Sequence, residues 1–242
     1  MAAVITWHEL ITDDVDAAVR FYTELLGAEV ETADMGDFQY HMVKKDGRTH
    51  AGFVKKEQAG TPSHWYPYVQ VDDVDASVEK AKGLGAQVYM GPADVSDTLR
   101  FAVLGDPQRA TFGVMAWDED PPTGLFAWDE LYALDVEAAV AFYGELFGWT
   151  TSSSHLDWYR LIDAGEQHIG GLMKSPDEMP VAAWGTHFAT DDVQASVARA
   201  QEQGAEVKLP PTTDEQVGTY SMLADPQGAL FGLYKATVVQ PA

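Results

Sequence analysis

Two copies of a short aromatic and acidic segment carry the residues best suited to chemistry. The sequence reads WHEL from Trp7 and WDEL from Trp128. Because side chains alternate between the two faces of a strand, each tryptophan shares a face with a glutamate two residues later, Glu9 or Glu130. An indole offers a stacking surface, and a carboxylate can accept or transfer a proton. The pattern fits a small-molecule site, and it equally fits carboxylates that only bridge neighbouring strands.

Composition excludes several classes of site and partner. There is no cysteine, so thiol nucleophiles, disulfides and thiolate metal sites are absent, and no glycine-rich phosphate-binding pattern appears. The net charge of -23 repels phosphate backbones, which argues against a nucleic-acid partner. From the first residues we expect no signal peptide, and no apolar run in the sequence reaches the roughly 18 residues of a membrane span. We therefore expect a cytoplasmic protein without a membrane partner.

The WHEL and WDEL segments belong to a repeated structural pattern. A β-rich run is followed by an aspartate suited to cap a helix, an amphipathic helix, a glycine that ends it, and three strand-like runs. Trp7 and Trp128, like Gly27 and Gly148, lie 121 residues apart. Fainter copies begin near Tyr66 and Gly185. The chain thus contains four copies of one strand-helix-strand-strand-strand motif.

The repeat predicts an α+β fold in which four βαβββ motifs stand in tandem and pair into two modules. We place the modules at residues 1–117 and 125–236. The segment 118–124, DEDPPTG, joins them as a linker, because acidic residues and paired prolines favour an exposed extended chain.

Tandem βαβββ motifs whose helix carries FYxELxG resemble the vicinal oxygen chelate superfamily, which includes glyoxalase I, bleomycin-resistance proteins and extradiol dioxygenases. The sequence reads FYTELLG from Phe21 and FYGELFG from Phe142, and Asp-Pro-Gln precedes the last strand at Asp106 and Asp225. The opening WxEL is similar to a two-module bacterial glyoxalase-like subgroup. The resemblance covers nearly the whole chain and implies cup-shaped mixed sheets that hold a ligand on the concave face.

The resemblance also implies where metal ligands would lie. Metal-dependent members take a histidine from first strands and a glutamate from last strands. Counting from the helices puts the first-strand positions at Trp7, Tyr66, Trp128 and Gly185, and the last-strand positions near Phe53, Gly113, Gly171 and Gly232. None of these is a usual ligand. We expect no metal at the usual positions and no other cofactor, with a divalent metal at a non-standard place as the alternative. His8 is expected to face the helix layer or the rim.

If the tryptophans face the cup, each module offers an aromatic floor, one carboxylate and one facing polar ring. The ring is Tyr68 in the first module and His187 in the second. The predicted ligand-binding residues are Trp7, Glu9, Tyr66, Tyr68, Trp128, Glu130 and His187. Such a cup suits a small aromatic or carbonyl-bearing molecule.

Three functions compete. The first is a metal-independent protein that binds a small molecule. The second is a glyoxalase-like lyase or isomerase, a hydroxylase or a dioxygenase, with Glu130 and His187 as catalytic acid and base. The third is a scaffold that keeps only the fold, since a fold does not determine a function. For each we expect a monomer built from two modules or a homodimer.

Overall fold

The computed structural model describes residues 3–36, 38–56, 60–118, 122–177, 179 and 181–237. The chain adopts the predicted α+β fold with four tandem βαβββ motifs. Motif one contains β1 (Ile5–Thr12), α1 (Val15–Leu26), β2 (Glu29–Asp34), β3 (Gln39–Lys45) and β4 (Arg48–Lys55). Motif two contains β5 (His64–Gln70), α2 (Val74–Gly83), β6 (Gln87–Ser96), β7 (Leu99–Gly105) and β8 (Thr111–Trp117).

The second half of the chain repeats this order. Motif three contains β9 (Phe126–Ala133), α3 (Val136–Phe147), β10 (Thr150–Ser153), β11 (Tyr159–Ala164) and β12 (Gln167–Lys174). Motif four contains β13 (Ala183–Ala189), α4 (Val193–Glu202), β14 (Glu206–Asp214), β15 (Gly218–Ala224) and β16 (Leu230–Ala236).

The helices begin where the sequence pattern places their caps. The carboxylates of four aspartates accept a hydrogen bond from the backbone N–H three residues later, at 2.9 to 3.0 Å: Asp14, Asp73, Asp135 and Asp192. Gly27 ends α1 and Gly148 ends α3 in the left-handed conformation, with φ of 58° and 73°. Glycine adopts this conformation without steric strain, which explains the sharp helix ends.

The strands form two mixed sheets of eight. The first runs β2-β3-β4-β1-β5-β8-β7-β6 and the second runs β10-β11-β12-β9-β13-β16-β15-β14. In every motif the first and last strands pair in parallel. The pairs of consecutive strands that follow each helix are antiparallel. This pairing brings the first and last strands of each motif side by side at one end of the motif, although they are distant in sequence.

Contacts divide the chain into two compact units. The unit of Met1–Trp7, Tyr66–Pro121 and Asp129–Gly185 consists mainly of motifs two and three. We call it the inner unit because these are the middle two motifs in the sequence. The outer unit, His8–Trp65, Pro122–Trp128 and Thr186–Ala242, consists mainly of motifs one and four. Each has its own apolar core, with α2 and α3 in the inner unit and α1 and α4 in the outer unit. The module boundaries expected from the sequence stay a prediction, and residues 119–121 of the expected linker lie outside the described residues.

A buried chain of hydrogen bonds lies in the core of the outer unit. Trp65 Nε1 donates to the Tyr22 hydroxyl at 2.9 Å, and that hydroxyl donates to the Asp225 carboxylate at 3.1 Å. Burial, with the Asp225 charge adding to it, raises the pKa of Tyr22 well above its usual value. The phenol therefore keeps its proton and remains a donor.

The inner unit repeats this chain with other residues. Trp184 Nε1 donates to the Tyr143 hydroxyl at 3.0 Å, and Tyr143 donates to Asp106 at 3.1 Å. Asp106 and Asp225 are the aspartates of the two Asp-Pro-Gln turns. Each of these turns is thus bound to the helix of a motif from the other half of the chain.

The glutamines of the same turns contact helix caps. Gln227 accepts a hydrogen bond from the Asp14 backbone N–H at 2.7 Å and donates one to the Asp14 carbonyl at 2.8 Å. Gln108 makes the same two bonds with Asp135, at 2.7 and 2.8 Å.

Of the helices among the described residues, none is long and apolar enough to cross a membrane.

Candidate functional site

The first strand of each motif has one face toward the helices and one away from them. Leu10, Val69, Leu131 and Phe188 are buried in the helix-side cores. Because side chains alternate, the neighbouring residues Glu9, Tyr68, Glu130 and His187 lie on the opposite face, which we call the open face. The polar residues singled out by the sequence pattern are therefore on the face without helices.

Each of these open-face residues lies opposite a glycine on the paired last strand. The Cα pairs are Glu9 with Gly52, Tyr68 with Gly113, Glu130 with Gly171, and His187 with Gly232. The sequence count placed the first of these last-strand positions near Phe53, and the register moves it to Gly52. Phe53 is buried in the helix-side core instead.

The glycines are required because a ring lies directly over each of them. A Cβ added at Gly52 or Gly171 would overlap the hydroxyl end of Tyr40 or Tyr159, respectively. A Cβ at Gly113 would overlap the Tyr68 ring, and one at Gly232 would overlap the His187 imidazole. No side chain longer than hydrogen fits at these positions while the rings stay in place.

In the outer unit, Glu9 is held by a tyrosine that the sequence analysis did not identify. The Tyr40 hydroxyl donates to Glu9 Oε1 at 2.7 Å, and Glu9 is only 7% exposed. His8 stacks on Phe126 with ring centroids 3.7 Å apart. This position on the face of Leu10 agrees with the expectation that His8 faces the helix layer. Trp128 is half-buried and His187 is buried.

In the inner unit, Glu130 accepts hydrogen bonds from two tyrosines. The Tyr159 hydroxyl donates to Oε1 at 2.9 Å and the Tyr132 hydroxyl donates to Oε2 at 2.6 Å. Burial, followed by the Glu130 charge, raises the pKa of Tyr132 well above its usual value. Glu130 itself is half-buried, unlike Glu9. The two glutamates thus share one tyrosine contact and differ in the second tyrosine and in exposure.

The inner unit also holds the aromatic residues expected in the first module. The Trp7 ring lies edge-on to Trp117, with centroids 6.0 Å apart. The hydroxyls of Tyr66 and Tyr68 lie 3.5 Å apart, and both tyrosines are buried. Phe101 lies 6.3 Å from Tyr68 by ring centroids.

Not all the predicted partners belong to the same compact unit. Glu130 is in the inner unit and His187 is in the outer unit, so their pairing as acid and base stays a prediction. Tyr40, Tyr159 and Tyr132 were not predicted as site residues. Tyr40 and Tyr159 lie at matching positions of β3 and β11, 119 residues apart, and this offset was the available signal.

Comparisons with known proteins identify the family. A glyoxalase-like domain model matches residues 7–115. The Glyoxalase/Bleomycin resistance protein/Dioxygenase superfamily model matches residues 126–233. A putative glyoxylase, CFP32, of Mycobacterium bovis is 34% identical, over 95% of this chain and 93% of the relative. The chain belongs to the glyoxalase/bleomycin resistance protein/dioxygenase superfamily. It carries two modules of that superfamily, in agreement with the resemblance seen in the sequence.

Other members of the superfamily are similar over nearly the whole chain. The anthracycline biosynthesis protein DnrV of Streptomyces peucetius is 30% identical over 98% of this chain and 94% of the relative. The 2,3-dioxygenase LapB from Pseudomonas sp. KL28 has a TM-score of 0.70 at 11% identity, over 98% of this chain and 94% of that chain. A Mn(II)-bound glyoxalase from Novosphingobium aromaticivorans has a TM-score of 0.69 at 16% identity, over 97% of this chain and 83% of that chain. At these identities the two solved structures establish the shared fold alone.

Some superfamily members bind a metal, so we asked whether the residues at the expected ligand positions could hold one. The four last-strand positions are glycines, and the rings over them occupy the space that a carboxylate ligand would need. Within the described ranges, no group of three or more histidine, aspartate or glutamate side chains is arranged to hold a metal ion. The residues at the expected ligand positions therefore do not fit a metal site of the usual kind.

Proposed function

We propose that this protein binds a small aromatic or carbonyl-bearing molecule on the open faces of its sheets, without a metal at the usual ligand positions. The residues proposed to contact the ligand are Trp7, Glu9, Tyr66, Tyr68, Trp128, Glu130 and His187. In this role the protein binds the ligand without converting it. Aromatic rings, hydroxyls and carboxylates make the contacts with the ligand.

The observation that carries the proposal is the tyrosine–glutamate pair over a glycine, which occurs once in each module. Each pair has its phenol over a last-strand glycine, Gly52 or Gly171, where the resemblance implies a glutamate ligand in metal-dependent members. A phenol donates and a carboxylate accepts, so together they can orient a ligand that has both kinds of polar group. Tyr66 and Tyr68 add two aromatic rings, a kind of side chain that is common in ligand sites.

The names of two relatives support an aromatic ligand. DnrV and DauV, a second relative at 28% identity from a Streptomyces strain, are both called anthracycline biosynthesis proteins. Anthracyclines contain fused aromatic rings with carbonyl groups. A ligand of that chemistry suits rings, phenols and carboxylates together.

Binding and metal content can be measured on the same preparation. The protein is purified without chelator, analysed for bound metals, and titrated with a panel of a hydroxyanthraquinone, a catechol and a small α-ketoaldehyde. Calorimetry and tryptophan quenching follow the titration before and after treatment with a chelator. We expect saturable binding of at least one compound, unchanged by chelation. A flat response to every class, or binding that disappears with the metal, would falsify the proposal.

A second candidate is a glyoxalase-like enzyme in which Glu130 and His187 act as acid and base. The name of the mycobacterial relative, a putative glyoxylase, favours it, as does the half-buried Glu130 carboxylate with two phenol donors. General acid–base groups contribute about 10²- to 10⁴-fold to a rate. Turnover of a hemithioacetal that falls by at least 10²-fold in both Glu130→Gln and His187→Gln, with the folded state intact, supports the enzyme. Turnover that survives both substitutions eliminates this pair.

A further inference from the structure

Motif three differs from motif one at two matching positions, one on the open face of β9 and one directly before β11. Tyr132 stands where motif one has Ile11, and Trp158 stands where it has Gln39. Tyr132 supplies the second phenol on the Glu130 carboxylate. Trp158 is 59% exposed and lies edge-on to Tyr159, with ring centroids 5.7 Å apart and an interplanar angle of 84°. The Glu130 site therefore has an added phenol and an added exposed indole.

Two glycines make room for these phenols. A Cβ at Gly185 would lie 2.9 Å from the Tyr132 ring, which is closer than side chains pack. At Gly171, a Cβ would overlap the Tyr159 hydroxyl. Motif two has Tyr66 at the position of Gly185, so a larger residue is placed there in the first module. The backbone of the second module is thus adapted to hold both tyrosines against Glu130.

The chemistry of this arrangement selects for a donor. The carboxylate of Glu130 accepts from two phenols, and an ionised carboxylate can only accept. Hydrogen bonds from a hydroxyl to a carboxylate are about twice as strong as those between neutral groups. A ligand phenol is chemically equivalent to the tyrosine phenols already there. It can donate to the carboxylate beside them or in exchange for the Tyr159 hydroxyl.

The exposed indole of Trp158 offers a packing surface for the ring of such a ligand. A tryptophan with more than half of its surface in solvent offers a large flat face, and planar aromatic rings pack on such faces. Trp158 directly precedes Tyr159 and its ring contacts the Tyr159 ring, so a ligand ring packed on Trp158 would lie near the tyrosine that binds Glu130. The carboxylate of motif one lacks this neighbour and is itself buried.

We propose that the Glu130 site of the second module receives a planar aromatic ligand with a hydroxyl donor, a phenol or a hydroxyquinone, whose hydroxyl donates to Glu130 and whose ring packs on Trp158. This inference rests on the proposed binding function and specifies its ligand class and its module. It makes the ligand hydroxyl the group that is recognised.

The test compares a hydroxyanthraquinone with its O-methyl ether and with unsubstituted anthraquinone, titrated into the full-length protein and followed by calorimetry and tryptophan quenching. We expect the hydroxyl compound to bind at least tenfold more tightly than the other two. We expect Glu130→Gln to remove that difference and Trp158→Leu to weaken binding severalfold and reduce the quenching. Glu145→Gln, an exposed position on α3 with the same loss of charge, is expected to keep the wild-type affinity.

A second variant guards against a folding defect at Glu130. Tyr132→Ile introduces the matching residue of motif one and is expected to reduce the preference for the hydroxyl compound, with an unchanged circular dichroism spectrum. If all three compounds bind equally to the wild type, or if Glu130→Gln keeps the preference, the inference is wrong while the proposed binding function stands. If none of the three anthraquinones binds, this inference fails. The proposed function fails with it only if the catechol and the α-ketoaldehyde also give no response.

Discussion

The phenol of Tyr22 donates a hydrogen bond to the carboxylate of Asp225, 203 residues later in the chain. Tyr22 lies on the helix of motif one, and Asp225 begins the turn before the last strand of motif four. The equivalent bond in the inner unit joins Tyr143 to Asp106, 37 residues apart. The same local chemistry thus ties together partners at very different separations along the chain.

The first prediction concerns this bond. Tyr22→Phe leaves the Trp65 N–H without its acceptor and removes one donor from the buried Asp225 carboxylate. Leaving a buried polar group unsatisfied costs about 1–3 kcal/mol of unfolding free energy. We expect a loss in that range by chemical denaturation, and a similar loss for Tyr143→Phe. Tyr89→Phe, at a tyrosine that is 44% exposed, is the control and should change stability by less than about 0.5 kcal/mol. Equal effects at Tyr22 and Tyr89 would contradict the role given to the buried bond.

The second prediction concerns the glutamine of the Asp-Pro-Gln turn. Gln227→Ala removes both hydrogen bonds to the Asp14 backbone at the start of α1. Since these bonds are exposed to solvent, we expect a loss of about 0.5–1.5 kcal/mol of unfolding free energy. Gln201→Ala on the exposed face of α4 is the matched control, and it should be neutral or slightly stabilising because alanine favours helix. No loss in Gln227→Ala would show that the contact adds nothing to stability.

The third prediction concerns the glycine beneath Tyr159. Gly171→Ala places a methyl group where the Tyr159 hydroxyl lies, so the ring must leave the Glu130 carboxylate. We expect about tenfold or more weaker binding of the aromatic ligand, with a stability loss of about 1–3 kcal/mol from overpacking. Gly83→Ala, at a helical position with open space around the added Cβ, should leave the affinity unchanged. Wild-type affinity in Gly171→Ala would mean that the tyrosine–glutamate pair does not contribute to binding.

The fourth prediction concerns pH. His50 is buried, and desolvation lowers its pKa below the usual value of 6.5, against the opposing effect of a hydrogen bond with the Lys45 carbonyl. The unfolded state therefore binds the proton more readily than the folded state. As the pH falls through 6.5, the unfolded state gains protons first and the folded state loses stability.

His50→Gln removes this titration. We expect the unfolding free energy of the wild type, relative to His50→Gln, to decrease between pH 7.5 and pH 5.5. Urea denaturation at several pH values in this range measures the difference. If the unfolding free energy of the wild type relative to His50→Gln stays constant or grows toward low pH, the lowered pKa given to His50 is wrong.

The fold could be predicted from the sequence because its signals are local. An aspartate cap, a helical apolar face and a left-handed glycine all lie within about fifteen residues, and they recur four times in the order that the structure shows. The partner of each helix could not be predicted in this way. The apolar face of α1 indicates burial but does not specify that α4, and not α2, lies beside it.

The candidate site was predicted in part for the same reason. Strand alternation correctly separated Glu9 from His8 and Leu10, because two neighbouring residues suffice for that argument. Tyr40 lies 31 residues from the carboxylate it binds, on a strand whose position next to β4 follows only from sheet pairing. The position near Phe53 was one residue off, and the 119-residue offset back from Gly171 gives Gly52, the residue that the strand register places opposite Glu9.

The composition of the outer unit has a consequence during biosynthesis. Its core combines α1 with α4 and the last strands, so the N-terminal helix cannot complete its packing until the C-terminal motif has been made. At about 5–20 residues per second, synthesis of the chain between Tyr22 and Asp225 takes on the order of ten to forty seconds. During that time α1 can pack on the strands of its own motif, while the part of its surface that contacts α4 stays uncovered. Motif four of a second copy could cover the same surface by the contacts that motif four of the same chain makes, which is the geometry of a domain-swapped dimer.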